Sequence, residues 1–84
     1  TIRDGFGEII EAEATETTGL VGTPLKDTAL PENVIVGAVV RDDEVILPRG
    51  DTIIQPKDNV VLFASSESVR EVEKLFSVSL EYFN

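Results

Sequence analysis

The first clear pattern is an alternation of apolar and polar side chains from Glu8 to Thr15. A period of two predicts a strand with one buried face. After a Gly- and Thr-rich turn, the stretch from Leu25 to Leu30 is long enough for one helical turn. Pro31 ends it, because proline donates no backbone hydrogen bond and restricts the residue before it.

Two later runs are wholly apolar and mostly β-branched: Val34 to Val40 and Val60 to Ala64. Such runs predict strands buried on both faces. Asp42-Asp43 separates the first run from Glu44 to Leu47, which predicts a hairpin. Between two proline turns, Thr52 to Gln55 predicts a further short strand.

The last element is a predicted helix, since apolar residues recur at intervals of three and four, at Val69, Val72, Leu75 and Phe76. Ser65 or Ser66 is predicted to cap its N-terminus. The tail, 77–84, alternates apolar residues and is expected to pack on the body of the domain or at an interface. The order of elements predicts one α+β domain over 1–84, with a core at about 8–76. Its sheet is small and mostly antiparallel, with one short helix and one C-terminal helix.

The two apolar strands need cover on both faces, whereas the chain predicts only one long helix. The second face must therefore be covered by the tail or by a partner chain. This predicts a homodimer, with Val36, Ala38 and Val40 as interface residues.

Charge and composition narrow the function. The chain has 16 acidic and 7 basic residues, a net charge of −9, and neither Cys nor His. Nucleic acid and anionic membrane surfaces are disfavoured partners. Disulfides, thiolate metal sites and histidine chemistry are excluded. No apolar run approaches the length of a transmembrane helix, so membrane insertion is not expected.

The candidate chemical groups each have a plainer alternative. Glu11 and Glu13 share one strand face, which is either its solvated side or half of a cation site shared across a dimer axis. Asp42 to Glu44 are adjacent in a turn, which favours solvation over catalysis, and no enzyme activity is expected. Arg41 either pairs with Asp27 or Asp58, or reaches a ligand anion. No phosphate-binding glycine motif is present and no cofactor is identified.

Four stretches of the chain carry a family resemblance: Gly22 through Leu25 to Leu30-Pro31, Arg41 to Thr52, Pro56 to Phe63, and Val69 to Phe76. Their turn residues resemble the G-x-x-L-x-x-x-x-L-P stretch, the R-x-G-x-x-I-x-P-x-G-D-T block, the later G-D with its following strand, and the terminal helix of TrkA-C (RCK_C) domains. The likeness covers about residues 8 to 76. Asp43 and Lys57 stand where the family often has Gly, which suits positive φ.

The resemblance implies a cytoplasmic regulatory domain of a potassium uptake or channel-gating protein. Such domains usually follow a nucleotide-binding Rossmann domain, act on a membrane potassium transporter subunit and dimerise, in some members with a ligand at the dimer interface. The candidate ligand-binding residues here are Asp27, Ile35, Val36 and Arg41, with the small-molecule or cation effector unknown.

Family members that bind cyclic di-AMP tend to carry Asp-x-Arg and a later Asn. Those positions are Asp27, Ala29 and Ile35 in this chain, so the arginine clamp is missing. Two alternatives stay open: a purely structural dimerisation module, and a TrkA-C domain of an antiporter or anion permease.

Overall fold

The fold is a four-stranded antiparallel sheet with a helix on one face. It is described by a computed structural model covering residues 7–76. The strands are β1 (Glu8–Glu13), β2 (Val34–Arg41), β3 (Glu44–Ile46) and β4 (Asn59–Ala64), and the helix is α1 (Val69–Leu75). Two 3-10 turns lie at Leu25–Asp27 and Ser66–Ser68. The strand order is β1-β4-β2-β3. The predicted α+β class, antiparallel sheet and C-terminal helix are confirmed.

Sequence composition explains which strands lie inside the sheet. The two wholly apolar runs form the central strands β2 and β4, which pair with each other. The edge strands β1 and β3 carry glutamates, and charged side chains on an edge discourage further strand pairing.

The core lies on the face of the sheet that α1 covers. It comprises Ala14, Leu20, Val34, Val39, Ile54, Val60, Leu62, Ala64, Val72 and Phe76. Val72 and Phe76 supply the helix side of this layer, while Val60 and Leu62 of the central strand are fully buried. We call this face of the sheet the inner face.

A register shift in β2 separates Val36 from Ala38 and leaves Gly37 in a bulge. Before the shift, Val36 lies opposite Leu62 on the inner face and packs against the core. After it, Val39 lies opposite the buried Val60, so its neighbours Ala38 and Val40 point to the other face. The three residues predicted as one interface therefore do not share a face.

The stretch Thr52 to Gln55 is not a strand of the sheet, contrary to the prediction. Ile53 and Ile54 make only isolated bridges, to Pro24 and Val21 respectively. Ile54 is nonetheless fully buried. The apolar pattern of 52–55 therefore reflects the burial of Ile54 in the core, and not pairing of this stretch as a strand of the sheet.

The predicted serine caps are also replaced by another arrangement. Neither Ser65 nor Ser68, the residues before the 3-10 turn and before α1, makes a side-chain cap bond. The Ser68 hydroxyl instead donates to the Glu32 carbonyl at 2.7 Å. It thereby ties the start of the helix to the loop before β2. The predicted packing of the tail, 77–84, lies outside the described residues.

Both positions where the family often has glycine adopt a left-handed backbone. Asp42 and Asp43 have φ of 52° and 66°, and a two-residue type I′ hairpin turn requires positive φ at both positions. The predicted hairpin between β2 and β3 is confirmed. Lys57 has φ of 77°. Aspartate tolerates this region better than lysine does.

Lys57→Gly is expected to stabilise the fold by about 1 kcal/mol. The left-handed conformation costs a residue with a side chain about 1–2 kcal/mol, and the greater unfolded-state freedom of glycine offsets part of that gain. For a domain of this size, Tm should rise by about 4–8 °C. Lys57→Ala removes the same charge and keeps a Cβ. An equal rise in both variants would trace the effect to charge rather than to the backbone.

Candidate functional site

The face of the sheet opposite α1 is mainly apolar, and its polar residues are Glu11 and Glu13 of β1 and Asn59 of β4. Cross-strand partners place Ile9, Phe63 and Ile35 in one row, and Val61 beside Ala38 in the next. A third row brings Val40 next to Val45 of β3. We call these seven residues the outer face.

Several outer-face side chains are strongly exposed. Ile9 is 49% exposed, Ile35 61% and Val45 67%, and Leu47, just after β3, is 75% exposed. The helix packs on the inner face, and within residues 7–76 these exposed side chains of the outer face are left uncovered. A contiguous exposed apolar patch on a small domain marks a contact surface.

The two glutamates considered as cation ligands lie at the β1 edge of this outer face. Glu11 is opposite Val61, and Glu13 is opposite Asn59. Within residues 7–76, no group of three or more potential acidic ligands gathers around an ion-sized site. The shared cation site therefore stays a prediction that requires ligands from a second copy.

Arg41 and Asp58 form an ion pair at the end of β2. Arg41 Nε donates to Asp58 Oδ1 at 2.9 Å, and its Nη2 donates to Oδ2 at 2.7 Å. The same Nη2 also donates to the Ile53 carbonyl at 3.0 Å, while the Gln55 amide donates to Asp58 Oδ2 at 2.9 Å. Of the two aspartates considered as partners of Arg41, Asp58 is the one that pairs with it.

The hydrogen bonds from Arg41 lower the pKa of Asp58 against the opposing effect of burial, and the same bonds raise the pKa of Arg41. Asp58 is only 2% exposed. The Arg41 guanidinium therefore compensates the charge of the buried Asp58 carboxylate, and its hydrogen bonds connect β2 to the loop before β4. Its predicted role in ligand binding stays a prediction.

A shallow pocket of about 300 Å³ opens beside the outer face. It is lined by Leu25, Lys26, Leu30, Ile35, Val36, Pro48, Arg49 and Gly50. Of the four predicted ligand-binding residues, Ile35 and Val36 line this pocket, whereas Asp27 and Arg41 do not. Ile35 belongs both to the pocket and to the outer face.

Sequence reasoning missed Lys26 and Arg49 as pocket residues. They are far apart in the chain and meet because the Lys26 amide donates to the Gly50 carbonyl at 2.8 Å. No spacing rule signals such a contact between two loops.

None of the helices in the described part of the chain has the length and apolar character needed to cross a membrane.

Comparison with known proteins adds four findings. A family model described as the TrkA-C domain matches residues 9–77. The Trk system potassium uptake protein TrkA of Azorhizobium caulinodans is 52% identical over 83 residues, which cover 99% of this chain and 18% of that protein. TrkA homolog 2 of Methanosarcina mazei is 49% identical over 76 residues, covering 90% of this chain and 17% of that protein. The chain thus spans about a fifth of the length of these relatives.

A solved structure described as "Structure of RCK domain with cda" superposes with a TM-score of 0.68. The match covers 81% of this chain and 96% of that one, at 20% sequence identity. At this level of identity, the superposition shows a shared fold and nothing more.

Proposed function

Because the chain belongs to the TrkA-C domain family, we propose that it is the dimerising, ligand-sensing regulatory domain of a potassium uptake system. It works in the cytoplasm beside a Rossmann-type nucleotide-binding domain, and acts on a membrane potassium transporter subunit. The Trk potassium uptake names of its relatives support this assignment over an antiporter or anion permease. The family is regulatory rather than catalytic.

The outer face is the observation that carries the proposal. A second copy packed against it would cover the exposed isoleucines and valines. Few charged groups would be buried with them, because Glu11 and Glu13 lie at the β1 edge of the face. For a chain of 84 residues, whose own core is small, that additional burial is a substantial gain. A two-fold axis that passes near β1 would bring the two copies of Glu11 and Glu13 close enough to share a cation.

Sensing follows from Ile35, which contributes to both the outer face and the pocket. A ligand in the pocket touches a residue of the proposed interface, and therefore favours the dimer arrangement that fits it better. Regulation requires only such a difference in affinity between two arrangements. A purely structural dimer would show no stabilisation by any small molecule.

Substitution of the outer face by charge should break the dimer. In sedimentation equilibrium, Ile9→Glu combined with Val45→Glu is expected to weaken self-association by more than about a hundredfold, since each unpaired buried carboxylate costs about 3 kcal/mol or more. Both residues lie outside the pocket, so the substitutions leave its lining intact.

Ile53→Glu is the matched control, because Ile53 is exposed at 41% and bridges Pro24 instead of joining the outer face. This variant should remain as dimeric as the wild type. A wild-type chain that stays monomeric, or a control that dissociates equally, would rule out the outer face as the interface.

A further inference from the structure

Carboxylates border the outer face towards the end where β2 finishes. In β1, Glu11 and Glu13 alternate with side chains that pack on the core, so both glutamates point to the outer side of the sheet. The Asp42-Asp43 turn lies directly beyond Val40, the last outer-face residue of β2. All four acidic side chains are exposed. We call Glu11, Glu13, Asp42 and Asp43 the acidic border.

Few cations offset the charge of the acidic border. Within residues 7–76, none of its four carboxylates makes an ion pair. Arg41, at the end of β2, is paired with the buried Asp58 at 2.7 Å. Lys57, in the turn before β4, is a single cation against four carboxylates. Lys26 and Arg49 line the pocket, which lies at the opposite end of the outer face.

Two copies that meet through the outer face bring like charges together. Each copy has a net charge of −9, and repulsion between two acidic molecules opposes their association. The Debye length is about 30 Å at about 0.01 M salt, roughly the diameter of a small domain, and about 10 Å at about 0.1 M. At low salt the whole net charge therefore acts across the contact. At higher salt only charges close to the contact act, and those of the acidic border are among them.

We propose that ionic strength regulates this dimer, and that accumulated potassium tightens it by screening the repulsion between the two copies, above all between their acidic borders. Burial of the exposed isoleucines and valines drives association at any salt concentration, since the hydrophobic effect does not depend on charge. The inference rests on the dimerisation proposed above and specifies how the same interface is regulated. The domain thereby responds to the ion that its uptake system accumulates, without an ion-specific site.

Sedimentation equilibrium of the 84-residue chain tests the salt dependence directly. Raising KCl from about 0.01 M to about 0.1 M is expected to tighten self-association by at least about tenfold. EDTA is present throughout to remove divalent cations, and circular dichroism confirms that the chain is folded at both concentrations. NaCl and choline chloride should match KCl within about twofold, because screening depends on the charge and concentration of an ion and not on its identity.

Neutralising part of the acidic border should have the same effect as salt. Glu11→Gln combined with Glu13→Gln is expected to tighten self-association at about 0.1 M KCl by at least about threefold, because it removes repulsion close to the contact. Glu71→Gln combined with Glu73→Gln is the matched control, since it makes the same charge change in α1, on the other side of the sheet. The dissociation constant of this control should stay within about twofold of the wild type. An equal gain in both double variants would overturn the role of the acidic border.

Unchanged or weaker association at higher KCl would overturn the proposal. Weaker association would mean that opposite charges meet across the contact, as when the acidic border of one copy faces Lys26 and Arg49 of the other. A response to KCl that NaCl does not reproduce would also overturn it, because a bound potassium ion would then be responsible. A chain that stays monomeric at every salt concentration contradicts the dimer itself, which separates failure of the proposed function from failure of its regulation.

Discussion

Asp58→Asn is expected to lower the free energy of unfolding by about 3 kcal/mol. Asp58 is 2% exposed and accepts hydrogen bonds from Arg41 Nε, Arg41 Nη2 and the Gln55 amide. An asparagine of the same shape turns an amide group towards the guanidinium and leaves that charge uncompensated. Removing one partner of a buried pair costs about 3–5 kcal/mol. The 29% exposure of Arg41 lets water reach it, which places the loss at the lower end.

Urea unfolding measures this loss as a lower midpoint at an unchanged slope. Asp51→Asn makes the same charge change at an exposed turn position and should stay within about 0.5 kcal/mol of the wild type. A loss below about 1 kcal/mol for Asp58→Asn would show that the pair contributes no more than a surface ion pair does.

Acid provides a second measure of the same pair. The pKa of Asp58 in the folded chain lies below the ordinary value of 3.8, mainly because Arg41 hydrogen-bonds the ionised form. The contribution of the ion pair to the free energy of unfolding is therefore fully present above the ordinary pKa of aspartate, and it is lost as the pH falls through the pKa of Asp58 in the folded chain. The stability difference between wild type and Asp58→Asn should accordingly shrink below about pH 4 and remain constant near neutrality.

Local patterns predicted the secondary structure well because they report on local burial. Alternation identified β1, and runs of β-branched residues identified β2 and β4. The Asp42-Asp43 pair identified the hairpin. Each signal lies within a few residues, and its physical cause lies there too.

The bulge and the pocket were missed because their causes are not local. Strict alternation places Val36 with Ala38 and Val40, but the bulge at Gly37 turns Val36 inward. At the bulge, Gly37 lies against the Phe63 ring of the neighbouring strand, a contact that the local sequence does not signal. The pairing of Arg41 could be narrowed only to two aspartates, since the choice depends on how a distant loop folds back onto β2.

Gly37→Val is expected to destabilise the chain by about 2–3 kcal/mol, although valine favours strands. A Cβ at this position would lie 2.2 Å from Phe63 Cε2 and 2.9 Å from Cδ2, so the aromatic ring occupies the space that a side chain needs. Gly37 does not have a positive φ, and its backbone alone would accept valine. Strand propensity favours the substitution by less than about 1 kcal/mol, whereas overpacking costs about 1–3 kcal/mol or more, and the steric term wins.

The sign of this effect should reverse when the ring is removed. In a Phe63→Ala background the obstructing atoms are gone, so Gly37→Val should then stabilise the strand by up to about 1 kcal/mol. A double-mutant cycle measured by urea unfolding gives the coupling between the two positions, expected at about 3 kcal/mol. If Gly37→Val costs the same in both backgrounds, the glycine is required for the backbone geometry of the bulge. Coupling of the expected size would show that the Phe63 ring, seated over Gly37, is what excludes a side chain at this position of β2.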